Sequence, residues 1–188
     1  MELILASASP RRRELLGLIT ENFTVAPMDT DETLLPGAPL GQEVVRLSRG
    51  KAEKAHEAYP NAYCIGSDTL VTIDGIALGK PEGPGRAREM LRMLRGRTHE
   101  VLTGLAVQPP IGETRTLLTR TLVTFRAFDE DELEKYLATG EPLDKAGAYG
   151  IQGHGALLIE GIAGDYYSVM GLPVAGLNRI LRDLGVAV

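Results

Sequence analysis

The chain reads as an α/β protein, a mixed, twisted sheet flanked by helices, and three features of the sequence predict it. Short apolar runs alternate with helical stripes through the first 58 residues. The middle then supplies antiparallel strand candidates, joined by an Asp74-Gly75 turn and split by Pro109-Pro110-Ile111-Gly112. At 188 residues, 44% hydrophobic and 24% charged, the chain has ordinary globular composition and enough length to bury a core. We expect one domain over residues 1–188, with two lobes around a central cleft.

Each element follows from local chemistry. Leu3-Ile4-Leu5-Ala6 predicts a strand at 2–6, and a helix at 10–18 follows it. Ser9 suits the N-cap of that helix, and Pro10 suits its first position because the missing N–H has no helical partner there. A short strand near 23–26 leads into a polar loop, Met28 to Pro39, and then a long helix at about 40–58. Val44, Val45, Leu47, Ala52 and Ala55 give that helix its apolar stripe. Ala62 to Leu78 reads as a strand turning into a hairpin, and residues 85–95 as a helix ended by Gly96. Two long strands, 99–107 and 114–125, precede a helix at 130–138 capped by Asp129 and Glu132. A glycine-rich segment at 140–155, a strand at 156–162 and a helix at 173–184 complete the chain.

The stretch Ser7-Ala8-Ser9-Pro10-Arg11-Arg12-Arg13 poses a chemical question. A helix N-terminus already presents positive charge and favours acids, yet three arginines fill this first turn. Strand, serine-rich turn and helix start together form an anion site, because free backbone N–H groups converge there. Arginines on that turn fit a polyanion, while Arg13 is expected to face solvent. Among only five lysines, Lys80 and Lys145 fall on loops, where functional groups concentrate, and Lys54 reads as solvated helix surface. Lys80 is no P-loop lysine, because Asp74 and Pro81 occupy positions that would need glycine and a hydroxyl.

Asp68 interrupts an otherwise buried strand, so it is paired, at a strand end, or functional. The small residues Gly66 and Ser67 before it would let a ligand approach the backbone. Asp29, Asp31 and Glu32 gather in one loop, where such carboxylates serve as solvated turn residues or, with substrate phosphates, hold magnesium. His56, His99 and His154 lack zinc spacing, and Cys64 reads as a small core residue. Gly150-Ile151-Gln152-Gly153-His154-Gly155 is no dinucleotide fingerprint. A net charge of -5 argues against nucleic-acid binding. No signal peptide or membrane-spanning run is read at the N-terminus or elsewhere, so a cytoplasmic protein is expected.

These residues resemble, block by block and over essentially the whole chain, the Maf nucleotide pyrophosphatases. The blocks run in order: Ser7-Ala8-Ser9-Pro10-Arg11-Arg12, Asp31-Glu32-Thr33, the Lys51 helix, Gly66-Ser67-Asp68-Thr69, Gly79-Lys80-Pro81 and Gly96-Arg97-Thr98-His99. Val123-Thr124-Phe125, Glu141 to Gly153 and Val169-Met170-Gly171-Leu172-Pro173 follow. The resemblance implies a fold similar to the inosine-triphosphate pyrophosphatases and commonly a homodimer. It implies hydrolysis of a nucleoside triphosphate to monophosphate and pyrophosphate with a divalent metal, Mg2+ or Mn2+. By the same likeness Ser7 and Arg12 cradle phosphate, while Lys51 and Lys80 neutralise the leaving pyrophosphate. Glu32 helps hold the metal, and Asp68 serves as proton acceptor, as metal ligand, or both. Lys145 matches a further active-site position.

The residues Arg11, Thr69 and Gln152 match the family branch resembling dTTP/UTP pyrophosphatases, whereas the 7-methyl-GTP branch tends to carry Trp, Gln and Glu there. A glutamine amide both donates and accepts, complementing the imide edge of uracil or thymine. Ser67 departs from the pyrimidine branch, which usually has Ala, so modified uridine triphosphates are a further expected substrate class. Two other readings fit the chain: a 7-methyl-GTP or broad-spectrum pyrophosphatase, and a nucleotide-binding regulator of septum formation that needs no turnover.

Overall fold

Among residues 2–187, which the computed structural model describes, the apolar runs form strands and the striped segments form helices. The order is β1 (Leu3–Leu5), α1 (Pro10–Gly17), β2 (Thr24–Val25), α2 (Leu40–Ala58), β3 (Tyr63–Ile73), β4 (Ile76–Leu78), α3 (Pro84–Leu94), β5 (Thr98–Gln108) and β6 (Arg115–Phe125). Then come α4 (Glu130–Ala138), short 3-10 turns at Glu141–Asp144, Ala146–Ala148 and Gly153–Leu158, β7 (Ile159–Ala163), α5 (Tyr166–Met170) and α6 (Val174–Asp183). One seven-stranded sheet runs β2-β1-β3-β5-β6-β7, with β4 paired to β3. The β1 strand is parallel to β2 and β3, while the β3–β4 and β6–β7 pairs are antiparallel, so the expected mixed sheet is present.

The capping chemistry read from sequence holds. Ser9 accepts the Arg12 N–H at 3.4 Å with Pro10 at the first helical position. Asp129 and Glu132 form a reciprocal capping box on α4, at 2.9 and 3.1 Å. The 140–155 segment forms two 3-10 turns and starts a third, because its glycines and Pro142 interrupt any longer helical register. That third turn runs to Leu158, so the strand expected at 156–162 begins only at Ile159 and ends at Ala163. The helix α5 has no counterpart in the sequence reading; five residues are too few to show a periodic stripe.

Two compact units divide the chain. The first comprises residues 1–69, 103–119 and 171–188, and the second 70–102 and 120–170. In the first, Ile4, Ala6, Ala55, Ala62 and Cys64 pack as one apolar cluster. Burial pushes the Cys64 thiol up to about 11, which fits its reading as a core residue. In the second, Leu91, Leu94, Phe125, Leu133 and Leu158 anchor a larger core that also contains Tyr136 and Tyr149.

His99 lies inside that second core, edge-on to Phe125 and Tyr149, with Nε2 2.7 Å from the Tyr149 hydroxyl. Its Nδ1 has no polar partner among the described residues. Desolvation pushes the imidazole down to about 4. The unfolded chain therefore takes up a proton below about 6.5 that the folded chain refuses until about pH 4. The His99 contribution is level above about pH 6.5 and falls as pH drops through this window, by roughly 2 kcal/mol between pH 7 and 5. Denaturant unfolding at both pH values should show this loss, and His99→Phe should flatten it. A slope unchanged in the variant would place the titrating group elsewhere.

Candidate functional site

The first unit brings together two groups of the residues singled out above. Their placement begins with glycine. Gly66 on β3 and Gly104 on β5 leave no side chain between the sheet and α2. A Cβ at Gly66 would lie 2.7 Å from the Ala52 nitrogen and 3.1 Å from Lys51 Cβ, with the Ser48 carbonyl closer still. At Gly104 it would meet the Val44 backbone and Ser48. These glycines thus admit a helix, not a ligand, which replaces the reading of Gly66 as an opening toward substrate. The buried stripe of α2 is Val44, Leu47, Ser48, Lys51, Ala52 and Ala55, with Val45 only half-buried. Ser48 tolerates burial by donating to the Val44 carbonyl at 2.6 Å.

Lys51 is consequently carried into the protein rather than into solvent. Its ammonium lies 2.5 Å from Asp68 Oδ1 and 2.6 Å from Glu32 Oε1, so two carboxylates converge on one cation. Asp68 and Lys51 are both buried, whereas the Glu32 side chain is 62% exposed. Asp68 shares the β3 face of Gly66, two residues on, which is why the residue under the helix and the residue at its lysine line up. Asp31, by contrast, turns back on its own loop: its Oδ1 accepts the Thr33 N–H at 2.9 Å, and contacts with Thr33 lower its pKa.

The second group gathers around Arg12. Its Nε donates to the Gly171 carbonyl at 2.9 Å, Nη1 to Ser7 Oγ at 3.3 Å and Nη2 to Thr69 Oγ1 at 3.4 Å. All three acceptors are neutral, and Arg12 forms no ion pair among the described residues. Burial lowers the guanidinium pKa and the charge of Asp68 opposes this; Arg11 lowers it further and Glu32 raises it. Arginine stays protonated regardless, so a cation held by neutral groups is what the site presents. Thr69 Oγ1 also lies 3.2 Å from Thr103 Oγ1, a hydrogen bond in which either hydroxyl can donate. Arg11 is half-buried and Arg13 exposed, as expected for the latter.

Ser67 lies behind the Arg12 group, bonded to the same Gly171 carbonyl that Arg12 Nε reaches. It is fully buried, with Oγ 2.8 Å from the carbonyl oxygens of both Gly104 and Gly171. Its hydroxyl therefore ties the sheet to the 171 turn and offers nothing to a base, which removes the argument that linked it to modified uridines. Lys80, Lys145 and Gln152 belong to the second unit. Lys80 is exposed just past β4. Lys145 Nζ donates to the Glu141 carbonyl at 2.9 Å and lies 2.6 Å from Asp144. Gln152 is exposed and its amide makes no hydrogen bond among the described residues.

Two supporting residues escaped the sequence reading, and a third appeared there only within a family-like block. Glu43 is buried and accepts from the Leu35 N–H at 2.7 Å and from Arg46 at 2.8 and 2.9 Å. Arg46 also donates to the Thr33 carbonyl at 2.8 Å, so the pair pins residues 33–35, and with them the Glu32 loop, to α2. Arg46 and the Leu35 amide hold the Glu43 carboxyl down at about 2. The i, i+3 spacing of Glu43 and Arg46 was a visible signal for their pairing, but not for the loop they hold. The third is Gly171, whose contribution is a backbone carbonyl and has no side-chain signature.

Two carboxylate oxygens meeting at one cationic point fit a hard divalent cation. Magnesium is commonly held by one or two protein carboxylates and completed by substrate phosphates. Among the described residues no three His, Cys, Asp or Glu side chains assemble a metal cage of their own. Also among these residues, no helix is long and apolar enough to cross a membrane.

A family model described as Maf-like protein matches residues 2–184. The chain is 50% identical to a dTTP/UTP pyrophosphatase of Moorella thermoacetica, covering 100% of this chain and 97% of that protein. It is 46% identical to a dTTP/UTP pyrophosphatase of Syntrophus aciditrophicus, covering 98% and 90% respectively. Among solved structures it is similar in fold to the Staphylococcus aureus Ham1 protein. That match has a TM-score of 0.57 at 14% identity, over 98% of this chain and 100% of that one.

The glycine contact sets a test. Gly66→Ala should cost about 1–3 kcal/mol, the range for overpacking a close contact, because backbone atoms of α2 must retreat. Thermal unfolding would register this as a Tm lowered by several degrees. An unshifted Tm would mean that α2 does not depend on Gly66 for its seat.

Proposed function

The chain belongs to the Maf-like protein family, and from that premise we propose that it hydrolyses dTTP and UTP to the monophosphate and pyrophosphate. The observation that carries the proposal is the pairing of a Lys51-bridged carboxylate pair with an arginine whose hydrogen-bond acceptors are all neutral. A polyphosphate is the ligand such an arginine suits: its charge is half-buried and already oriented, so an incoming phosphate oxygen replaces no carboxylate. Ser7 and the N-terminus of α1 add a hydroxyl and backbone donors for the same oxygens.

In the reaction we propose, a water oxygen attacks the α phosphorus, its proton passes to Asp68, and the bond to the bridging α–β oxygen breaks. Pyrophosphate leaves with that bridging oxygen and its electron pair. Asp68 Oδ1 is engaged by Lys51, and Oδ2 has no hydrogen-bond partner among the described residues, which suits it to receive the proton. Lys51 and Lys80 neutralise charge on the leaving group. Glu32 and Asp68 would hold a divalent cation, Mg2+ or Mn2+, whose chemistry when bound is to neutralise phosphate charge. Thr69 acts on substrate choice through the pose of Arg12, and Gln152 reads the base with its uncommitted amide.

Purified protein incubated with dTTP, UTP, CTP, ATP, GTP and 7-methyl-GTP, with magnesium or manganese, should release pyrophosphate mainly from dTTP and UTP. Orthophosphate alone, or no turnover with either metal, would overturn the reaction. Preference for 7-methyl-GTP would overturn the assigned base. Asp68→Asn should lower kcat by roughly 100- to 10,000-fold, the span for losing a general base. Gln152→Glu combined with Thr69→Gln should move preference toward 7-methyl-GTP, and an unchanged ratio would sink the roles given to both residues.

A further inference from the structure

We propose that Glu141 is a positioning residue for base selection, and that its carboxylate, braced by Tyr136, sets the direction in which Gln152 presents its amide. The inference rests on the reading of Gln152 as the residue that meets the base.

Gln152 sits in a segment with little regular backbone pairing, between Gly150 and the 3-10 turn that begins at Gly153. A side chain there points reproducibly only if the backbone on both sides is held. Glu141 holds one side: Oε2 accepts the His154 N–H at 2.9 Å and Oε1 the Gly155 N–H at 3.1 Å. Tyr136 holds the other, since its hydroxyl oxygen accepts the Gly150 N–H at 3.1 Å. The same hydroxyl donates to Glu141 Oε1 at 3.0 Å, so both tethers are one hydrogen-bonded unit. Gln152 lies between the tethered residues, exposed and itself without a tether.

The surroundings are built for this arrangement. Tyr136 is anchored in the second core at 4% exposure, and burial raises its pKa, so the phenol keeps the proton it donates. Lys145 Nζ bonds the Glu141 carbonyl and fixes its main chain as well. Gly153 has φ +69°, and a Cβ there would lie 2.6 Å from Glu141 Oε2. A side chain at 153 would push the carboxylate off the backbone it holds. An ionised carboxylate suits the task because it accepts several N–H bonds at once and binds each more strongly than a neutral oxygen does.

A purely structural brace would affect every substrate alike, whereas a brace acting through Gln152 affects base choice. The test measures kcat and KM for UTP and GTP in wild type, Glu141→Gln, Tyr136→Phe, Gln152→Ala and the Glu141→Gln/Gln152→Ala double variant. Tyr136→Phe keeps the ring in the core, so it remains informative if Glu141→Gln folds poorly. We expect Glu141→Gln to raise KM for UTP about tenfold with kcat little changed, and to lower the UTP/GTP ratio of kcat/KM by a similar factor. Tyr136→Phe should move both in the same direction. In the Gln152→Ala background the Glu141 substitution should add no further loss of selectivity. Equal losses for UTP and GTP, or selectivity losses that multiply in the double variant, would overturn the positioning role while leaving Gln152 as the reader. A UTP/GTP ratio untouched by Gln152→Ala alone would overturn the base-reading assignment, and the role of Glu141 with it.

Discussion

The first unit depends on a backbone contact: α2 lies against β3 and β5 where Gly66 and Gly104 carry no side chain. Without that approach the Lys51 ammonium would not reach Asp68 Oδ1 at 2.5 Å, because a lysine stem has fixed reach. The contact also explains why a lysine occupies a buried helical stripe at all. A buried ammonium without partners would be expensive, and two carboxylates at one nitrogen remove that expense while keeping three charged groups at one place. Stability alone would be served as well by an apolar residue. Retaining the charges makes physical sense if the ammonium, the carboxylates or both have work to do on a charged ligand.

Arg12 completes this electrostatic design from the opposite direction. Lys51 is matched by acids, whereas Arg12 is held by a carbonyl and two hydroxyls, so its orientation is fixed without its charge being cancelled. That answers why basic residues occupy the first turn of α1, where the helix dipole disfavours them. Arg13 stays at the surface, and Arg12 folds inward to donors' natural complements. Ser9 and Pro10 start the helix so that residue 12 falls on the inner face.

What was legible in the sequence was what local chemistry controls. The bounds of α2 agreed at both ends, since its stripe is long, and the Asp129–Glu132 capping box was recoverable from spacing alone. The short helix α5 and the 3-10 turns were not, because they carry too few residues for a period. At the site, Asp68 and the arginine turn stood out by their placement, Lys51 was legible through resemblance to a family, and the structure supplies the Lys51–Asp68 contact. Gly66 was visible as a small residue, but sequence does not say whether space beside a strand admits ligand or helix. Glu43, Glu141 and the Gly171 carbonyl were hidden because each works through a backbone group, an N–H that the carboxylates accept from or the carbonyl itself, and every sequence possesses those.

Those hidden partners share a logic. A loop outside regular ladders leaves N–H groups that need acceptors, and each must be met by water or by a side chain. In the first unit Glu43 meets the Leu35 N–H, and its Arg46 partner meets the Thr33 carbonyl, so the Glu32 loop is fastened to α2. In the second unit Glu141 meets the N–H groups of His154 and Gly155 beside Gln152. In each unit the carboxylate that fastens the loop is distinct from the side chain the loop displays. This separation has a physical consequence. A displayed group that also anchored its own loop would have to break that anchor to bind, and the loop would loosen at the moment it must hold still. Assigning anchorage to a neighbour leaves the Gln152 amide uncommitted while its backbone stays fixed, which is the condition for selecting one ligand edge over another.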